Sequence, residues 1–446
     1  MPLDAAALSR LAPERVVGNV RVDAVPSAAE VESDGGRLTN VSTGDLLGLA
    51  SDARVREAFQ GALRKSGLAR PTRSRAQEDL EERLAGLLGV QAVAALEDAG
   101  GLFECLDAAG VVAEVRASPG FPRAAEVASP EGAERALAGG AAPALVVSAV
   151  DRYAGELLPL HRYAEASQRA GASLVVIDRL GLGVLGPGGL GAVESLGVID
   201  QVALQVLFLG EALPGAGVVV AGPRAEVEAL RRCGAPPASA PLAAAARALQ
   251  LAHVEAPRRA RAFDVAQAMI DGLRGLHLDT GPCVTPWIPV WMGDEALCEQ
   301  WLKALADAGL ACRGLLAGER SRLLLSVAAT ATDAQLDAAL EAFGKVARRL
   351  EPPKLATEGR GPVLLARPGS FALATPCAPH WKPQPPVAPP SHQPDQSPPA
   401  APSGLRERLL DAVETLTWRA TNRRGGKLGV PGGEALKALL DRRRRR

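Results

Sequence analysis

VVIDRLGLGVLGPGGLG, residues 175–191, is the stretch on which the fold of this chain turns. Val175, Val176 and Ile177 end an apolar, β-branched run, Asp178 closes it, and Gly181, Gly183, Gly186 and Gly188 punctuate the turn that follows. A buried strand running into a glycine-rich loop has the outline of a cofactor-binding strand end, whose backbone amides can approach a ligand closely. The side chains that would do chemistry there are nearly absent.

The flanking sequence repeats the pattern. PALVVSAV (143–150) is an apolar strand, LPLHRYAEASQRAG (158–171) a helix ending in glycine, and IDQVALQVLF (199–208) and GAGVVVAG (215–222) are two further strands around a loop. Helix returns with RAEVEALRRCG (224–234), and EDLEERLAGLL (78–88) has helical apolar spacing. Strands that are apolar on both faces and separated by helices predict an α/β domain, a mostly parallel sheet between helices. From about 275 a strand, helix, strand and helix alternate to 350, which predicts a small α+β unit. The expected division is a lead-in segment 1–55, a large domain 56–260, a small domain 261–351, a Pro-rich linker 352–403 and a basic tail 404–446 with a short amphipathic helix.

Composition bounds the function classes. A chain of 446 residues exceeds one compact domain. Its hydrophobic content of 47% with 22% charged residues is that of a soluble globular protein, and aromatics at 3% leave the core to Ala, Leu and Val. No apolar run spans a membrane, and the start MPLDAAALSRLAPERVV has early charges and no signal-peptide core, so a cytoplasmic protein is expected. The cysteines (105, 233, 283, 298, 312 and 377) form no C-x-x-C pair, which points to reduced thiols and no metal site. The zero net charge hides a segregation. Residues 404–446 carry twelve Lys/Arg against five Asp/Glu, leaving 38 against 45 in the rest of the chain. An anionic partner, nucleic acid or lipid, is one expectation for that tail, and docking of Leu405, Leu409, Leu410, Val413 and Leu416 into a partner's groove is another.

In this order the elements resemble the α-oxoamine synthases, fold-type-I pyridoxal-phosphate enzymes of the aminotransferase class I/II fold that condense an amino acid with an acyl-CoA. Six stretches carry the resemblance: DLLGLASDARVREA (45–58), EDLEERLAGLLG (78–89), AGELLPL (154–160), GLGVLGPGGLG (181–191), EALPGAGVVVAG (211–222) and RSRLLLSVAATATDAQLD (320–337). The resemblance implies a large domain and a small C-terminal domain, a dimer, and a set of site positions. Where those positions carry side-chain chemistry, this chain departs from the family. Glu211 stands at the Schiff-base lysine, and a carboxylate cannot form an imine. Ile177 stands where the family's aspartate pairs with the pyridine nitrogen, unless a one-residue slip puts Asp178 there, and Leu180 stands at the family's histidine. Glu97 and Asp98 occupy the phosphate position at a helix N-terminus, where an anion is favoured. Gly181 and Gly183 keep the cofactor loop's frame. Leu324 stands at the arginine that grips the substrate carboxylate, with Arg322 on the same strand face.

The expectation is therefore a non-catalytic homologue, a pseudoenzyme serving as a structural or regulatory partner in a homodimer or in a heterodimer with a catalytic paralogue, with no cofactor. The alternative is a divergent transferase with a rebuilt pocket, in which Asp178, Arg179 and Glu211 would act.

Overall fold

The computed structural model describes residues 14–68, 73–114, 120–138, 142–151, 153–350, 408–410 and 412–413. The Pro-rich linker 352–403, Cys377 and most of the basic tail lie outside the described residues.

The large domain is built on a seven-stranded sheet. Its strands are β1 (Ala92–Leu96), β2 (Val112–Glu114), β3 (Ala125–Val127), β4 (Ala144–Ser148), β5 (Ser173–Asp178), β6 (Leu204–Phe208) and β7 (Val218–Gly222), in the spatial order β1-β7-β6-β5-β4-β2-β3. Only β7 runs antiparallel to its neighbours. All six residues of β5 are buried, as continuous apolar runs require when helices cover both faces. One face packs against α1 (Ala53–Ser66), α2 (Arg75–Leu88) and α4 (Ser239–Val254), the other against α3 (Gly100–Ala108) and the helix Arg224–Leu230. Asp52 caps α1, accepting from the Arg54 N–H, and Ser74 caps α2.

α4 gives way to α5 (Ala256–Gly275) at Glu255, because Pro257 sits in the first turn of α5 and cannot continue the preceding helix. Beyond it lie β8 (Ile288–Trp291), the helix Glu295–Asp307, β9 (Arg313–Leu316), β10 (Arg322–Leu325) and the helix Asp333–Arg349, which a capping box starts at Thr332. The lead-in does not stand alone. Its strand Arg15–Gly18 pairs with β9, and Gly36–Asn40 pairs with Leu310–Ala311, so residues 15–40 complete the C-terminal unit. The Asn19 amide fastens this join by donating to the Leu302 and Leu310 carbonyls at 3.0 and 2.9 Å.

One expectation changes here. Cys105 and Cys233 are bonded to each other, with Cα atoms 6.8 Å apart, so the thiols are not all reduced. Cys283, Cys298 and Cys312 are free and buried. Among the described residues there is no cluster that could hold a metal ion, and no helix long and apolar enough to cross a membrane.

Candidate active site

β5 delivers the glycine loop to the C-terminal edge of the sheet. Alternation along β5 sends Ile177 and Asp178 to opposite faces. Ile177 is buried in the apolar cluster that contains Leu96, Phe103 and Val206. Asp178 turns the other way and is fully buried. Its Oδ1 accepts the N–H groups of Leu180 (3.2 Å) and Gly181 (2.6 Å), and its Oδ2 accepts that of Ala192 (2.7 Å). The carboxylate thus staples the start of the loop to its end. Burial pushes its pKa up, while the three N–H donors pull it back. Glycine is required at both contact points. A Cβ on Gly181 would stand 2.3 Å from Asp178 Oδ2, and one on Gly191, where φ is 107°, would stand 2.5 Å from it.

The rest of the loop is satisfied from within. Glu194 accepts the Gly188 and Leu190 N–H groups at 2.9–3.1 Å. Gly183, Val184, Leu185, Gly189 and Gly191 donate to loop carbonyls. Arg259, itself buried, donates to the carbonyls of Pro187, Ala252 and His253, and His253 Nδ1 lies 2.8 Å from the Gly188 carbonyl. Amides engaged in this way are not presented to a ligand. Neither Glu194 nor Arg259 stands out in the sequence as a loop-holding residue, since each is one charge among many on helical stretches.

Leu180, Glu211 and Leu324, which lie far apart in sequence, line one cavity of about 360 Å³. Thr43 and Gly44 from the lead-in, Trp287 and Ile288 at β8, and Arg313 and Ser326 complete its wall. The Ser326 hydroxyl donates to the Thr43 carbonyl at 2.5 Å, pinning lead-in to β10 at the cavity edge. The Arg179 guanidinium donates to Glu211 Oε1 at 3.3 Å and lies over the Phe208 ring at 4.1 Å. Arg322 does not reach this space. It is buried, donates to the Tyr153 and Arg320 carbonyls at 2.9 Å and stacks on Trp291 at 3.7 Å. At the N-terminus of α3, Asp98 Oδ1 accepts the Gly100 N–H at 2.7 Å, with Glu97 beside it, so this helix end already has its anion.

Among the described residues the wall offers one carboxylate (Glu211), one guanidinium (Arg313) and two hydroxyls (Thr43 and Ser326), and no amine. The described lysines, Lys65, Lys303 and Lys345, lie outside it. Such a set can bind a polar or zwitterionic ligand. It does not fit a covalently anchored pyridoxal phosphate. Imine formation needs an amine, and none of the described residues that line this cavity supplies one.

The seven-strand order, the single antiparallel strand and a site at the strand ends define the class: a fold-type-I pyridoxal-phosphate-dependent transferase fold. No family model matches the chain. The 8-amino-7-oxononanoate synthase of Halorhodospira halophila is 31% identical over 396 residues, covering 78% of this chain and 97% of that protein. The high-resolution structure of SPT with PLP internal aldimine superimposes with a TM-score of 0.67 at 21% identity, covering 74% of this chain and 92% of the other. A lysine-to-alanine variant of serine palmitoyltransferase from S. paucimobilis with bound PLP–myriocin aldimine gives 0.68 over the same shares, also at 21% identity. The chain belongs to the α-oxoamine synthase family. The expectation that it takes no cofactor is corrected by these neighbours. They carry PLP, one of them in a variant that has lost a lysine, so a missing amine does not argue for a missing cofactor.

Proposed function

We propose that this chain is a member of the α-oxoamine synthase family that does not catalyse the amine-dependent condensation, and that it serves as a structural or regulatory subunit in a dimer with a second copy or with a lysine-bearing relative. One observation carries the proposal. Glu211, at the position of the family's lysine, faces the same cavity as Leu180 and Leu324 and is engaged by Arg179. Each of these three positions has lost the group that the family's chemistry uses, while the glycines that shape the loop are kept. In this reading Asp178, Gly181 and Gly183 maintain the fold, and Glu97 and Asp98 satisfy a helix end. Pyridoxal phosphate, where it binds, is held without an imine to residue 211.

The test is release of free CoA from acyl-CoA by the purified chain with amino acid and added pyridoxal phosphate. The expected rate equals that of buffer. A rate well above buffer that Glu211→Ala abolishes would overturn the proposal. The second reading, a transferase with a rebuilt pocket, draws on the same Glu211–Arg179 pair opening onto a cavity large enough for a small substrate. That rate assay separates the two.

A further inference from the structure

The sheet face that receives Ile177 is closed by residues from the far end of the chain. Leu409 and Val413 are 0% and 3% exposed, in one cluster with Leu102, Phe103 and Leu106 of α3 and with Val146, Val175 and Val206 of the sheet. Ala412 beside them is also buried. Residues 408–410 and 412–413 are helical, and 409, 412 and 413 have the i, i+3, i+4 spacing that puts three apolar side chains on one face. The Arg408 guanidinium stands beside Gly110, where an added Cβ would lie 3.5 Å from it, so the segment lies near the C-terminal end of α3.

The same face has an unusual connection. β2 and β3 are parallel neighbours, joined by residues 115–124 alone. A parallel pair ordinarily needs a dozen or more residues for its crossover, which usually contains a helix packed on the sheet. This connection is shorter than that. It tucks Phe121 against Phe103, with ring centroids 5.0 Å apart.

We infer that the C-terminal segment around 408–413 docks in cis and takes the place of the crossover helix that the β2–β3 connection is too short to supply. The occupant of the groove is this chain's own segment. The reading of Leu409 and Val413 as anchors for a partner's groove is thereby corrected, because their apolar face is spent on the large domain. Leu405 and Leu416 lie outside the described residues. Loss of the segment would expose apolar side chains of the cluster that Leu409 and Val413 join.

Three chains test this: full length, one ending at Ser403 and one ending at Trp418. The chain ending at Trp418 should match full length. The chain ending at Ser403 should melt on the order of 5 °C lower and brighten the dye ANS several-fold. A synthetic peptide of residues 404–418 should reverse both effects, and the same peptide carrying L409D and V413D should not. Should the shortened chain fail to fold, hydrogen exchange on the full chain gives the answer, with amides near 409–413 expected to exchange at least about 100-fold slower than in the free peptide. Exchange at the free-peptide rate, or equal melting and dye binding in all three chains, would overturn the inference. Protection that rises with protein concentration would show docking onto a second copy and would overturn the cis assignment.

Discussion

Replacing Asp178 tests whether the glycine loop is held by its own backbone hydrogen bonds. The carboxylate is fully buried and accepts three N–H groups at 2.6, 2.7 and 3.2 Å. In Asp178→Ala all three donors lose their acceptor, at about 1–3 kcal/mol for each buried orphan. Removing a buried charge, whose pKa burial has pushed up, offsets part of this, leaving a net loss of about 2–5 kcal/mol. Asp178→Asn keeps an oxygen for Leu180 and Gly181 but turns an amide N–H toward the Ala192 N–H, so one donor is orphaned and the expected loss is about 1–3 kcal/mol. The raised pKa also fixes a sign. Any stability that Asp178 contributes through its neutral form is present in acid and declines as pH rises through the folded-state pKa, and the asparagine variant lacks that decline. Urea unfolding followed by far-UV circular dichroism, from pH 4 to pH 8, measures both effects. Losses under about 0.5 kcal/mol for both variants would refute the assignment of Asp178 to holding the fold.

Gly191→Ala should cost about 2–4 kcal/mol in the same assay, since its φ of 107° and a Cβ 2.5 Å from the Asp178 carboxylate both resist a side chain; a neutral substitution would contradict this. Burial pushes the thiols of Cys283, Cys298 and Cys312 up to about 12, so at pH 8 Ellman's reagent should leave all three unlabelled in the native protein and label them in urea. Rapid native labelling of any one of them would count against the buried core described above. Arg54 holds the Asp52 carboxyl down to about 2, so the stability of the α1 cap is present above about pH 4 and lost as pH falls toward 2. Asp52→Asn should flatten that acid limb of the unfolding profile.

The large domain was legible because buried parallel strands leave unbroken β-branched runs, and 173–178 and 218–222 are such runs. The site was legible only as a set of positions. Spacing alone left Ile177 and Asp178 interchangeable, and the structure separates them by strand alternation, which sends Asp178 to the loop and Ile177 to the core. Contacts between distant segments left no local mark. Cys105 meets Cys233 across a separation of 128 residues, and the Asn19 side chain binds carbonyls more than 280 residues away. The same limit hid the destination of Leu409 and Val413, whose periodicity specifies an apolar face and not the surface that covers it.

Borohydride reduction after incubation with pyridoxal phosphate, with peptide mass spectrometry, bears most directly on the central claim that an acid holds the place of the family's amine. The wild-type chain should carry no pyridoxyl group on any residue lining the cavity of Glu211, and E211K should acquire one at position 211. A pyridoxyl adduct on a cavity residue of the wild-type chain, or an E211K chain labelled only elsewhere, would contradict it.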